Sequence, residues 1–335
     1  MNSEDQLVER TGQAIPSGSS GRASDRLRLG IGDDAALIRP SAGTECVLTC
    51  DQFLEGVHFL ANAHPPDSVG YKALVRATSD IAAMGATPRF FLLALALPAG
   101  RTGAWFDAFL RGMGRAAGQM GMRLAGGDTT KSARISIAVT VLGEIARGRV
   151  VSRAGARPGD LIYVSGPLGP AQLGFELVGR GVSRLPEFRP LLRLHLYPKI
   201  RLELGAWLAR HRVPSAMMDI SDGLSTDLTR LCRASLVGAR LQAGRLPRVR
   251  IPAPLARRLR GLQFDPLQMA LHGGDDYELL FTVPPSRAGQ LQRAPGFREL
   301  TPIGEITRNK NILLVGDDGA AKPLRPGGWD PFRRK

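Results

Sequence analysis

The sequence predicts a two-domain protein of the α/β (α+β) class, and three observations carry that prediction. Its 335 residues exceed the roughly 100–200 of one ordinary domain. Strand-like and helix-like segments alternate through both halves, as layered α/β folds require. A stretch bearing Gly148, Gly155, Pro158 and Gly159 separates the halves and reads as a linker. The expected division is a loosely held Gly/Ser-rich arm over residues 1–25, an N-terminal domain over 26–147 and a C-terminal domain over 148–335.

Each element has its own signal. Residues 27–30 and 46–50 read as short strands. Over 67–85, Val69, Ala73, Ala77, Ile81 and Met84 recur at helical spacing. The unbroken apolar run from Phe90 to Leu97 predicts a strand buried on both faces. Residues 104–119 follow as a helix and 135–145 as a partly alternating strand. In the second half, 161–165, 216–220, 277–283 and 312–315 read as strands, and 170–179, 198–210 and 224–233 as helices.

Composition narrows the function classes. Hydrophobic residues make up 43% and charged residues 22%, which excludes a disordered or fibrous chain. The formal net charge is +15, yet only six of the 45 cationic residues are lysines. The arginines are spread along the chain, and Tyr and Trp together number only seven, so stacking platforms for nucleic acid are scarce. No nucleic-acid partner is expected, while anionic small substrates suit the sign. Three cysteines, Cys46, Cys50 and Cys232, exclude a disulfide framework and fit a reducing cytosol. The first residues lack a signal-peptide pattern, and Pro98 stops the longest apolar run far short of the ~20 residues of a membrane span. A cytoplasmic protein with no membrane partner is expected.

The informative feature is where aspartates fall in this basic chain. Asp34 lies in Gly30-Ile-Gly-Asp-Asp-Ala35, and Asp51 closes the strand Val47-Leu-Thr-Cys-Asp. Asp80 sits inside an apolar helix, where a carboxylate is costly unless paired. Asp128 follows Gly126-Gly127, Asp219 and Asp222 flank Ile-Ser before Gly223, and Asp275 follows Gly273-Gly274. One such site reads as a turn or helix cap. Six of them, nearly all at glycine-bordered strand tips, read differently: carboxylates that converge need a cation between them. Oxygen donors select Mg²⁺ or Mn²⁺, and carboxylate-held Mg²⁺ usually works on phosphate. Backbone amides at Gly126-Gly127 or Gly273-Gly274 can approach phosphate with no side chain between. Metal-dependent phosphoryl chemistry is the physical reading.

Two decoys fall away. Residues 30–35 match a dinucleotide fingerprint, but Pro40, Ser41 and Gly43 leave no room for the helix that should follow. No P-loop and no protein-kinase lysine strand or catalytic loop is present.

Taken in order, the stations are Gly30-Ile-Gly-Asp-Asp-Ala-Ala36, Thr49-Cys-Asp51, Gly56-Val-His-Phe59, Tyr71-Lys-Ala-Leu74 and Ser79-Asp-Ile-Ala-Ala-Met-Gly-Ala86. Gly126-Gly-Asp-Thr129, residues 152–160, Asp219-Ile-Ser-Asp-Gly-Leu224 and Gly273-Gly-Asp-Asp-Tyr-Glu-Leu279 follow. The ordered set resembles the thiamine-monophosphate kinase family, within the superfamily named for aminoimidazole ribonucleotide synthetase. The resemblance implies that superfamily's two-domain fold and a homodimer. Its N-terminal domain would bind ATP and metal and dimerise, and its C-terminal domain would complete the substrate site. The implied reaction is ATP- and Mg²⁺-dependent phosphorylation of thiamine monophosphate to thiamine diphosphate by direct in-line transfer, within thiamine diphosphate biosynthesis.

By matching position, Asp34, Thr49, Cys50, Asp51, Asp80, Asp128, Asp219 and Asp222 would hold several Mg²⁺ ions. Gly127, Asp128, Arg153 and Ser221 would contact ATP, and His58, Asp275 and Trp329 the thiamine monophosphate. Asp275 stands where the family commonly has Glu, Cys50 where it often has Thr, and Ala77 where Asn is common. The acceptor is a phosphate oxygen, already anionic near neutral pH, so no protein nucleophile or strong base is required. The competing readings are another ATP-dependent enzyme of the superfamily and a non-catalytic nucleotide- or nucleic-acid-binding protein.

Overall fold

The computed structural model describes residues 3–17, 26–181, 186–258 and 264–332. The chain divides into two units: residues up to Ile81 with Ala86–Gly148, and Ala82–Gly85 with the residues from Arg149 onward.

The first unit opens with helix α1 (Glu4–Ala14), inside the stretch whose composition suggests a loose arm. The reason is local: Ser3 caps the helix, accepting from the Gln6 amide while the Gln6 side chain accepts from the Ser3 amide. Residues 1–2 and 18–25 of the expected arm lie outside the described residues. Strands β1 (Leu27–Leu29) and β2 (Leu37–Ile38) pair antiparallel. Then come β3 (Thr44–Leu54), α2 (Pro66–Ala83), β4 (Thr87–Leu97), α3 (Ala104–Met120), β5 (Arg123–Lys131) and β6 (Ser136–Ala146).

A four-stranded sheet runs β3-β6-β4-β5, antiparallel except for the parallel β4–β5 pair. The two helices α2 and α3 touch backbone to backbone: a Cβ on Gly112 would lie 1.8 Å from the Asp67 carbonyl oxygen. Phe106, Phe109, Leu110 and Met113 of α3 are buried, and Gly121 at φ 65 ends that helix.

The structure corrects three sequence expectations here. Strand β4 is not buried on both faces: Phe91, Leu93, Leu95 and Leu97 are buried, while Leu92 is 42% exposed. The open face is itself apolar, so hydrophobicity alone does not distinguish it. Asp51 does not end its strand but lies within the eleven-residue β3. Gly126-Gly127-Asp128 is not a turn but the middle of edge strand β5.

The second unit is built on a seven-stranded sheet. Its strands are β7 (Leu161–Val164), β8 (Ala216–Ile220), β9 (Gly238–Gln242), β10 (Glu278–Val283), β11 (Thr301–Thr307), β12 (Ile312–Val315) and β13 (Ala321–Pro323). Their order is β13-β12-β9-β11-β7-β10-β8, antiparallel throughout except for β12 on β9. Its helices are α4 (Pro170–Gly179), α5 (Arg189–Leu196), α6 (Leu202–Arg210), α7 (Leu224–Ser235), α8 (Ala253–Arg258), α9 (Pro266–His272) and α10 (Pro285–Ala288). Ile162, Val164, Met218, Ile220, Leu228, Leu231, Leu280 and Ile303 belong to one buried cluster under β7, β8 and α7. Burying each such side chain contributes about 1.5–3 kcal/mol. Among the described residues, no helix is long and apolar enough to cross a membrane.

Candidate functional site

In the first unit the predicted carboxylates fall into two groups. Asp34 and Asp128 face one open cavity of about 670 Å³, lined by residues 30–36, 90–94 and 124–129 with Leu48, Ala138, Thr140 and Leu142. Asp33 lines it too, and its Oδ1 accepts from the Asp34 amide at 2.9 Å. None of the described lining residues is Lys or Arg. The size suits a small-molecule ligand, but the sign of the charge would repel a polyphosphate unless a cation intervened.

Gly127 has a steric reason to be glycine. Strand β5 runs so close to β4 that a Cβ there would lie 1.9 Å from the Leu93 carbonyl oxygen. Asp128 pairs with Ala94 in the β4–β5 ladder, which sets it beside the cavity.

The second group lies where β3 meets α2. Asp51 is held by Arg76, whose Nε donates to Oδ2 at 2.6 Å and Nη2 to Oδ1 at 3.2 Å. Thr49 Oγ1 donates to Asp80 Oδ2 at 2.6 Å, so the helix carboxylate is compensated by a neighbouring hydroxyl. Cys50 points with the exposed set of β3. His58 is half-buried, accepts the Leu54 amide on Nδ1 at 3.0 Å and stacks on Phe53 with centroids 5.8 Å apart. A backbone N–H can only donate, so the neutral ring carries its proton on Nε2.

The predicted residues of the second unit, Arg153 excepted, gather around the β8–α7 turn. Asp219 is buried at the end of β8. The Ser221 and Asp222 amides donate to Asp227 Oδ2 at 3.1 and 3.0 Å. Arg230 Nη1 bridges Asp222 at 2.5 Å and Asp227 at 2.8 Å. Burial first, then the Asp222 charge, pushes Asp227 up to about 6, against Arg230 and the Asp222 amide. The Trp329 amide donates to the Asp222 carbonyl at 2.8 Å, and the Asp275 amide to the Ser221 carbonyl at 2.8 Å.

Asp275 and Tyr277 sit at φ 66 and 51, each a left-handed conformation costing a non-glycine residue about 1–3 kcal/mol. Arg153 is exposed, and its carbonyl accepts from the Ser235 hydroxyl at 3.1 Å.

Sequence reasoning does not single out Arg76, Arg230, Asp227, Asp276 or Asp33. Arg76 carries a readable signal, one helical turn before Asp80. Asp227 has none, because its caps reach back across the turn to Ser221 and Asp222.

Whether these residues fit Mg²⁺ can be judged from the donors. Among the described residues no three acidic, His or Cys side chains are gathered closely enough to hold an ion by themselves. Asp34 and Asp128 are nonetheless exposed carboxylates that make no side-chain ion pair among the described residues, and they open on one cavity. That suits Mg²⁺, which is usually held by one or two carboxylates and completes its shell with phosphate oxygens and water. The donor chemistry fits.

Comparison with known proteins agrees with this architecture. Residues 32–145 match the family model described as AIR synthase related protein, N-terminal domain, and residues 157–316 its C-terminal domain. The chain is 36% identical over 310 residues to a thiamine-monophosphate kinase of Escherichia coli (strain K12), covering 91% of this chain and 92% of that one. A crystal structure of thiamine-monophosphate kinase from Stenotrophomonas maltophilia K279a aligns at TM-score 0.77 and 35% identity, over 95% of this chain and 96% of that one. A structure described as AaThiL complexed with AMPPCP and TMP aligns at TM-score 0.76 and 34% identity, over 90% and 92%.

Proposed function

The chain belongs to the AIR synthase related family and, within it, to the thiamine-monophosphate kinases; from that premise we propose that it transfers the γ-phosphoryl group of ATP to thiamine monophosphate, giving thiamine diphosphate and ADP. The observation that carries the reading is the cavity of the first unit. Among the described residues, a strand with no side chain at Gly127 and two carboxylates without ion-pair partners, Asp34 and Asp128, border a space of ligand size that holds no basic lining residue. A nucleotide polyphosphate enters such a site only with its charge neutralised.

In this reading Asp34, Thr49, Cys50, Asp51, Asp80, Asp128, Asp219 and Asp222 hold Mg²⁺, with Cys50 serving through its carbonyl. The ion supplies charge neutralisation on the phosphoryl oxygens. The Asp51–Arg76 pair makes Asp51 less available to the ion, since a cation would compete with a bidentate guanidinium. Gly127, Asp128, Arg153 and Ser221 contact ATP, with the Gly127 backbone close to phosphate. His58, Asp275 and Trp329 orient thiamine monophosphate, His58 donating from Nε2. An acceptor phosphate oxygen forms the new P–O bond in line as the bond to the β-phosphate breaks and ADP leaves. No side chain takes up the phosphoryl group.

We assign the enzyme to the cytoplasm and to a homodimer. The open face of the four-stranded sheet supports the dimer, since Leu48 and Leu92 stand 68% and 42% exposed on it. Purified protein incubated with ATP, Mg²⁺ and thiamine monophosphate should form thiamine diphosphate, and omission of any one should abolish it. Asp128→Asn and Asp222→Asn should lower turnover by at least about a hundredfold with unchanged circular dichroism. Wild-type turnover in both variants would overturn the metal assignment.

A further inference from the structure

The segment leading into β10 has four consecutive side chains tied down. Tyr277 is 2% exposed and turns its hydroxyl back to donate to Asp275 Oδ1 at 2.7 Å. Its amide donates to the Ile220 carbonyl at 2.9 Å, as the Asp275 amide does to Ser221. Glu278 is gripped by Arg201, whose Nε and Nη2 donate at 2.7 and 2.8 Å, and by the Ser165 hydroxyl. Asp276, between the two left-handed residues, reaches away to the start of α4. Its Oδ2 accepts the Gly169 amide at 2.6 Å and its Oδ1 the Ala171 amide at 3.1 Å. Burial pushes the Asp276 carboxyl up to about 8 against these two amide bonds, so hydrogen bonds rather than a net charge fasten it to the start of the ten-residue α4.

Two left-handed non-glycine residues persist only where the surroundings hold them. Here the anchors are Glu278 on one side and Asp276 in the middle, and what they keep in place is the Asp275–Tyr277 hydrogen bond. We propose that Asp276 is a positioning residue for the acceptor: by fastening its segment to the start of α4 it maintains the backbone that presents the Asp275 carboxylate to thiamine monophosphate. The inference rests on the reading above that Asp275 contacts that substrate.

Steady-state kinetics of the full-length enzyme, varying each substrate with the other saturating, test it. Asp276→Ala should raise KM for thiamine monophosphate about tenfold while KM for ATP stays within about twofold. Asp276→Asn keeps an acceptor oxygen for one amide and should fall between. It also carries the test should the alanine variant not fold. A purely structural role would lower kcat with the fraction of active protein and leave both KM values alone. Unchanged KM for thiamine monophosphate in the Asp276 variants, or an equal rise in both KM values, would overturn the proposal. Asp275→Asn separates the layers. If it weakens thiamine monophosphate and the Asp276 variants do not, the positioning role alone fails. If Asp275→Asn is itself without effect, the substrate contact fails and the positioning role with it.

Discussion

Adjacent glycines of β5 offer a matched pair for testing how close the strand must run to β4. A Cβ on Gly127 would lie 1.9 Å from the Leu93 carbonyl oxygen and 2.8 Å from its carbonyl carbon, both backbone atoms. A Cβ on Gly126 would meet only the Leu92 Cδ2 methyl, at 3.5 Å, an ordinary contact. To accept alanine at 127 the two strands must part by more than about 1 Å, which stretches the adjoining ladder hydrogen bonds out of range. Overpacking costs about 1–3 kcal/mol and each lost bond about 1 kcal/mol, so Gly127→Ala should destabilise the first unit by about 2–4 kcal/mol. Because Asp128 rides on the same strand, ATP binding should weaken at least about tenfold. Gly126→Ala should stay within about 0.5 kcal/mol of the parent and bind ATP normally. Urea unfolding followed by tryptophan fluorescence, with calorimetric titration of a non-hydrolysable ATP analogue, reads both quantities. Equal behaviour of the two variants would refute the reasoning.

Glu144 gives a second prediction. Its side chain is 2% exposed and accepts from the Ser41 amide and hydroxyl at 2.8 and 2.5 Å, Arg26 at 2.9 Å and Arg89 at 3.2 Å. Burial alone would raise its pKa, but the Ser41 bonds and the two arginines outweigh it and hold the carboxyl below its ordinary 4.5. The resulting stabilisation is complete above that ordinary value and is lost as pH falls through the depressed one. Glu144→Gln should therefore cost about 2–4 kcal/mol at neutral pH, with the deficit shrinking below pH ~4 in urea titrations. A deficit that does not change with pH would contradict this. Thiol labelling gives a third. Cys232 is buried and pushed up to about 12 by desolvation, so it should react only on unfolding. Cys46 and Cys50 are exposed with Leu48 on β3 and should become protected as protein concentration rises through dimer formation. Labelling independent of concentration would place the dimer contact elsewhere.

The alternation of elements was readable because amphipathic period and turn residues are local properties. Helix α4 and strands β8 and β12 follow the expected bounds residue for residue. Helix α1 was obscured by the Gly/Ser composition beside it, although Ser3 and Gln6 spell its capping box. Strand β5 was obscured because Gly126-Gly127-Asp128 is turn chemistry by composition, while the packing against β4 demands a residue with no side chain. At the candidate site the aspartates stood out by type and setting, but their partners did not. Arg76 meets Asp51 across 25 residues, and Asp276 meets Gly169 across 107, and no local pattern records such pairings. The left-handed backbone at Asp275 and Tyr277 was equally hidden, since neither residue type announces it.

A single-turnover reaction with γ-radiolabelled ATP, enzyme in excess, Mg²⁺ and thiamine monophosphate tests the central claim most directly. Direct transfer predicts that the label moves from ATP to thiamine diphosphate with one ADP formed per product and none retained on the protein. Label on the protein, or released as inorganic phosphate without thiamine diphosphate, would contradict it.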